Sequence, residues 1–428
     1  MHARTVHATR RGYDSLVKRV ARPLALGMVL ASAVVVMGLG AAQKAPCADG
    51  NWQDLRQYRQ LCYTDIVPLL ATEQLQGGRL PFLEPCVTIE GQNCDEYPVL
   101  TMYFMRVADW IAGDRFGAWF WVNAALLLVC ALATVVATYL VAGRRALIVA
   151  LAPSLLIYGT VNWDLLAVAF AAAAVAAFAA RRDGLAGALL GLGAASKLYP
   201  LLLALPLAAE RVRQRLPDRA VSLVWWTAGA WAAVNLPFIV AAPGGWFEFF
   251  RYNAARCPEF DSLWTIGFRA AGSDSCLHIG VVGVLSAAIF VGAVTFLWAA
   301  KEHAQPGFPR WAFGFPLLVV FLLTSKVYSP QYGLWLLPWF ALALPDLRAF
   351  AAFQAADVVV FVTRFRWFLE LEDPSAGLPR WLFEAAVAAR AAILVWCLIL
   401  WVRRRHQQID ELVIVRRTTP EPEEVVPA

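Results

Sequence analysis

Long apolar runs, broken by short basic clusters, fill the chain from Pro23 to Val402. The runs are continuous and rich in Ala and Leu rather than alternating, which predicts helices and not strands. A bilayer core needs roughly 20 apolar residues per helical crossing, so the pattern predicts an all-α, polytopic transmembrane bundle. Crossings fitted between the basic clusters fall at 24–42, 117–142, 146–160, 162–180, 184–196, 197–209, 219–241, 277–300, 311–325, 330–346, 348–364 and 379–402. The count is about 10–12, because several of these segments are short or re-entrant.

Basic clusters mark the cytoplasmic side. This puts an N-terminal arm (1–23) and a polar tail (403–428), expected to be disordered, in the cytoplasm of a plasma (inner) membrane protein. Between them lies a single membrane domain, 24–402, with outer loops at about 43–116 and 242–275. The apolar run at the N-terminus exceeds a signal-peptide core of about 7–15 residues and reads as a retained first helix, with a cleavable signal as the alternative. Within the first loop, 97–112 reads as an amphipathic helix at the outer interface, since it carries Arg106 and Asp109.

Composition agrees with this picture. The chain is 60% hydrophobic and 16% charged, more apolar surface than a soluble protein of this length can hide. Its net charge of +6 sits in the short clusters, where topology puts it, and suggests no nucleic-acid partner. Cysteine gives an independent check. Cys47, Cys62, Cys86 and Cys94 fall in the first outer loop, and Cys257 and Cys276 in or beside the second. Even numbers are expected where disulfides form outside a reducing cytoplasm. Pairing in the first loop stays open; Cys257 with Cys276 is the one choice within the second.

The segment 184–209 has basic residues on both sides, yet it is too short for two full crossings, which need about 40 residues. The chain must enter and return, turning at Ser196-Lys197-Leu198-Tyr199-Pro200. Irregular backbone at membrane depth is tolerated only inside protein or along a cavity, so Lys197 is expected to face an internal polar space.

Four polar clusters interrupt the hydropathy: Tyr63-Thr64-Asp65, Asn162-Trp163-Asp164, Lys197-Leu198-Tyr199-Pro200, and Ser325 to Tyr332 with Lys326, Tyr328 and Gln331. All map to the outer side. Ionisable residues in membrane segments are costly and usually functional, and two carboxylates with two lysines suggest acid/base work beside anion binding. The plainer alternatives are a loop or helix-cap role for Asp65, a cap role for Asp164, snorkelling for Lys197 and a helix end for Lys326. Arg256 reads as a loop or headgroup charge, and His278 as structural. The five His show no metal-ligand spacing, and no phosphate-cradling glycine loop or serine elbow occurs. No metal and no cofactor is expected.

These clusters, with Tyr97-Pro98-Val99-Leu100-Thr101, the Gly191 to Pro200 stretch and Ser329-Pro330-Gln331-Tyr332, give the chain its resemblance to glycosyltransferase family 87 of the GT-C superfamily. The resemblance implies inverting transfer of a sugar from a polyprenyl-phosphate donor to an envelope lipid or glycan acceptor outside the membrane. It implies Asp65 as catalytic base. Lys197 and Lys326 become candidates for the leaving phosphate, Tyr199, Tyr328 and Gln331 for sugar or phosphate oxygens, and Asn162 and Asp164 for orienting donor or acceptor. Mannosyltransferases of the family that build phosphatidylinositol mannosides carry a histidine pair near the late motif. Residues 325–332 have none, which leaves the sugar open between mannose and another hexose or pentose. A transporter or flippase of a lipid-linked sugar is the competing class. It would show repeat symmetry and a midplane site, neither of which the sequence displays.

Overall fold

The computed structural model describes residues 24–87 and 94–409. The N-terminal arm and all but the first residues of the tail lie outside the described residues. The principal helices are α1 (Leu24–Cys47), α2 (Val99–Ala112), α3 (Phe116–Ala142), α4 (Asp164–Ala179), α5 (Asp183–Ser196), α6 (Pro200–Arg213), α7 (Pro217–Ala241), α8 (Pro243–Ala255), α9 (Ile279–Ala304), α10 (Gly314–Thr324), α11 (Leu347–Glu372) and α12 (Arg380–Arg403). No strand occurs among the described residues.

Five helical stretches are long and apolar enough to cross a membrane alone: Leu24–Cys47, Phe116–Ala150, Pro217–Ala241, Ser275–Ala304 and Arg380–Arg403. The Ser275–Ala304 stretch is barely covered by protein, so its Val, Leu and Phe side chains suit a lipid environment. Two of the shorter spans expected from sequence are broken helices. The 146–160 segment is two pieces, Leu147–Ala150 and Pro153–Tyr158, and 330–346 is a 3-10 turn, Pro330–Leu336, followed by Leu337–Leu342. Proline is the cause: it lacks the N–H that continues a helix but suits a first turn. The 348–364 segment runs on to Glu372 as α11.

The chain does enter and return between α5 and α6. Lys197 leaves the helical region (φ −160°, ψ 134°), and Pro200 opens the next helix. α5 also lies close against α7. An added β-carbon at Gly187 would collide with the Leu223 carbonyl, and one at Gly191 with the Thr227 carbonyl. Such small-residue contacts let helix backbones approach where the hydrophobic effect gives no help.

The two ends of the bundle differ in chemistry. At one end Arg211 is buried against Asp183 (2.6 Å) and the Phe178 carbonyl (2.6 Å). Nearby, Glu210 accepts from the Arg310 N–H (2.5 Å) and from Gln408 (2.7 Å). The opening of the tail is thereby ordered, with the Trp311 indole donating to the Gln407 carbonyl at 3.1 Å. At the other end lie the loops and their disulfides, Cys47–Cys62, Cys86–Cys94 and Cys257–Cys276. Cys130 and Cys397 are free and buried in helices. The 97–112 stretch is the amphipathic α2, burying Val99, Met102, Met105, Ala108 and Ala112 and leaving Trp110 and Ile111 outside.

Gly191→Leu is expected to cost about 1–3 kcal/mol by forcing α5 from α7. Gly283→Ala, with nothing within 4 Å of the added carbon, should leave stability unchanged or slightly raised. Denaturation of the two variants in detergent checks this; equal stability would show that the α5–α7 contact is slack.

Candidate active site

Asp65 stands at the start of a short helix, Ile66–Thr72, but its side chain makes no capping bond. Its place is fixed from across the fold. Its N–H donates to the Val161 carbonyl at 2.9 Å, and the Asn162 amide donates to its carboxylate at 2.8 Å. The same amide donates to the Tyr97 hydroxyl at 2.8 Å. Thr64 bonds the Thr160 carbonyl (2.8 Å), and the Trp119 indole bonds the Ile66 carbonyl (2.6 Å). The Tyr63-Thr64-Asp65-Ile66 segment is thus anchored residue by residue.

Asp65 lines a cleft of about 200 Å³. Tyr63 joins it from the same loop, Tyr158 and Val161 from the approach to α4, and Arg256 and Glu259 from the second outer loop. Ser329, Pro330 and Gln331 close one side, and α11 supplies Phe361, Arg364, Phe365 and Phe368. Tyr63 stacks on Phe365 with ring centroids 4.7 Å apart. Burial raises the Asp65 pKa above its ordinary value. The bonds from Asn162 and Tyr63, and the charges of Arg364 and Lys197, work against that rise.

A second group sits beside the cleft. Asp164, fully buried, is the first residue of α4. Its carboxylate is 2.9 Å from the Lys197 ammonium and accepts the Trp335 indole N–H at 2.7 Å. Trp335 lies between two tyrosines, Tyr199 at 4.2 Å and Tyr332 at 4.1 Å. The Lys197 ammonium rests 4.7 Å from the Tyr332 ring centroid. Lys197 therefore points inward to a polar partner, as its turn implied. The Tyr199 hydroxyl is buried and has no hydrogen-bond partner among the described residues.

The remaining sequence candidates divide. Gln331 lines the cleft, whereas Lys326 and Tyr328 do not. Lys326 donates to the carbonyls of Ala254 (3.0 Å) and Arg256 (2.9 Å), holding the second outer loop. Tyr328 is buried beneath the Arg390 guanidinium, 3.9 Å from its ring centroid. Arg256, expected to be a loop charge, is in the cleft wall. The second cation in the wall is Arg364, at the end of the expected 348–364 span. Behind them Asp357 and Arg390 pair at 3.1 Å. All three charges stand in apolar runs, a legible signal of function or pairing. Lys44, at the end of α1, is also fully buried; its ammonium donates to the Leu61 carbonyl (3.2 Å) and lies over Phe361. Glu96, beside Tyr97, is pushed to about 7 by burial. Among the described residues no three His, Cys, Asp or Glu side chains gather as a metal site.

A sequence model of glycosyltransferase family 87 matches residues 97–330, more than half of the chain. That match makes the protein a membrane glycosyltransferase, and the chain belongs to family 87. No curated protein matches it. The matched stretch contains Asn162, Asp164, Lys197, Arg256, Glu259 and Lys326; Asp65 and Arg364 lie outside it and enter through their contacts.

Asp164→Ala should destabilise the fold by about 3–5 kcal/mol by leaving a buried ammonium unpaired, and Asp164→Ala with Lys197→Met should recover part of the loss. Equal unfolding midpoints for the single variant and the wild type would mean that the pair carries no stability.

Proposed function

We propose that this membrane glycosyltransferase takes its sugar from a polyprenyl-phosphate donor and passes it, with inversion, to a lipid or glycan acceptor at the outer face, with Asp65 as general base. The family supports lipid-linked donor and acceptor substrates in general. The observation that carries the finer reading is the setting of Asp65: a carboxylate in a cleft, held by Asn162, with two guanidiniums in the same lining. It can take the proton of an acceptor hydroxyl as that oxygen attacks the anomeric carbon. The bond from that carbon to the phosphate oxygen breaks on the opposite face, its electron pair staying with the phosphate, so one displacement inverts the centre. Positive groups aimed at the leaving phosphate lower the barrier. Arg256 and Arg364 are in the cleft for this, and Lys197 acts from beside it. Phe368, less buried than Phe361 and Phe365, offers an apolar surface to a sugar ring.

Disulfides at the cleft end and basic residues at the other support an outward-facing cleft and cytoplasmic termini in the plasma (inner) membrane.

Purified protein given radiolabelled polyprenyl-phosphate sugars and an envelope-lipid extract should transfer label to a new product. Asp65→Asn should lower transfer by about 10²–10⁴-fold with unchanged yield and melting. Full activity in that variant would remove Asp65 as the base; no transfer by folded wild type from any donor would remove the donor class.

The base works deprotonated, so activity is present above the raised pKa and lost as pH falls through it. The acid limb of the rate profile should therefore lie above the ordinary carboxylate range. Asn162→Ala removes a bond to the charged form and should move that limb up by about one pH unit. A limb that stays or moves down would assign it to another group.

A further inference from the structure

Two guanidiniums in the cleft share one carboxylate. Arg256 donates to one Glu259 oxygen at 2.6 Å, and Arg364 donates to the other at 2.9 Å. A two-arginine fork of this kind grips carboxylate and phosphate oxygens equally well. We propose that Glu259 is an internal counter-anion, which holds the arginine fork in the empty enzyme, is displaced by the phosphate of an incoming lipid-phosphate sugar, and returns to expel the phosphate product. The inference rests on the donor class proposed above.

The surroundings allow the exchange and limit it to one side chain. Arg364 cannot turn away from the cleft, because its other terminal nitrogen pairs with the buried Asp261, which Arg390 also approaches at 3.6 Å. The main chain of Glu259 is pinned on both sides. Its N–H donates to the Lys326 carbonyl at 2.8 Å, and its own carbonyl accepts the Thr265 hydroxyl at 2.8 Å. The carboxylate can leave by side-chain rotation while the Cys257–Cys276 loop keeps its shape.

Charge balance points the same way. Within the ion-paired wall Arg256, Arg364 and Arg390 meet Glu259, Asp261 and Asp357, three charges against three, and Asp65 is a further anion of the cleft outside these pairs. A donor phosphodiester carries one negative charge and substitutes for Glu259 one for one. The leaving phosphate monoester carries about −1.5 to −2 at neutral pH and would hold the fork more tightly than the donor. A carboxylate tethered beside the fork competes with it at high effective concentration and promotes release. Glu259 is suited to this because it stays ionised. Burial works to raise its pKa, but the charges of Arg364 and Arg256 outweigh burial and hold it at about 2.

A glutamate that only braced the arginines would behave oppositely: its loss would loosen the fork and weaken anion binding. The test uses full-length protein in detergent with farnesyl phosphate as probe and farnesol as the uncharged control. Binding is read by calorimetry and melting temperature, without turnover. Glu259→Gln should bind farnesyl phosphate about tenfold more tightly or better, with farnesol unchanged. Arg256→Gln should bind it more weakly. Glu259→Asp, too short to span both guanidiniums, should shift in the same direction as Glu259→Gln and serves if that variant does not fold. Unchanged or weaker farnesyl phosphate binding in the Glu259 variants, or tightening of farnesol as well, overturns the inference. Because binding is measured apart from transfer, absence of transfer from every lipid-phosphate sugar would overturn the donor class separately.

Discussion

Asp164 has no exposed surface, and its carboxylate survives in an apolar bundle because Lys197 and the Trp335 indole meet it. Removing a charge from water costs several kcal/mol, and only a close partner with further hydrogen bonds repays it. That requirement joins three segments remote in sequence: the start of α4, the break between α5 and α6, and the turn Pro330–Leu336. The break cannot straighten without stranding the ammonium, and the turn cannot drift without losing the indole bond. Asn162, two residues before Asp164, is carried by the same frame, and through it Asp65.

The same rule governs the opposite wall. Asp261, Asp357 and Glu259 are matched by Arg364, Arg390 and Arg256, so a loop held by Cys257–Cys276 is also held by ion pairs from Glu259 and Asp261 to Arg364 of α11 and from Asp261 to Arg390 of α12. The main chain of this wall is therefore fixed, and the proposed exchange of Glu259 for a phosphate is confined to side-chain rotation.

Much of the frame was legible in the sequence. Ala- and Leu-rich runs identified the helices, and the basic clusters separated the two ends. The turn at Ser196–Pro200 announced an inward Lys197, because 26 residues cannot cross twice. The family motifs drew attention to Asn162 and Asp164. Partnership was harder to read. Lys326 read as a phosphate-binding candidate and Arg256 as a loop charge, and the fold turns the first onto backbone carbonyls and the second into the cleft. Arg364 resembled the end of a helix because α11 runs a further two turns beyond the expected boundary. Helix breaks at Pro153, Pro330 and Pro338 shortened segments that hydropathy alone had drawn as whole crossings.

The contacts that hold Asp65 come from late in the chain: Val161 and Asn162 roughly a hundred residues on, and the Arg364 wall about three hundred. A ribosome thus delivers the proposed base long before the groups that make it one. Until α11 has been inserted, the nascent chain has one wall of a cleft and no fork opposite it. Partly made or truncated copies would therefore sit in the membrane without consuming lipid-linked sugar, and activity would begin only when nearly the whole polypeptide has been threaded.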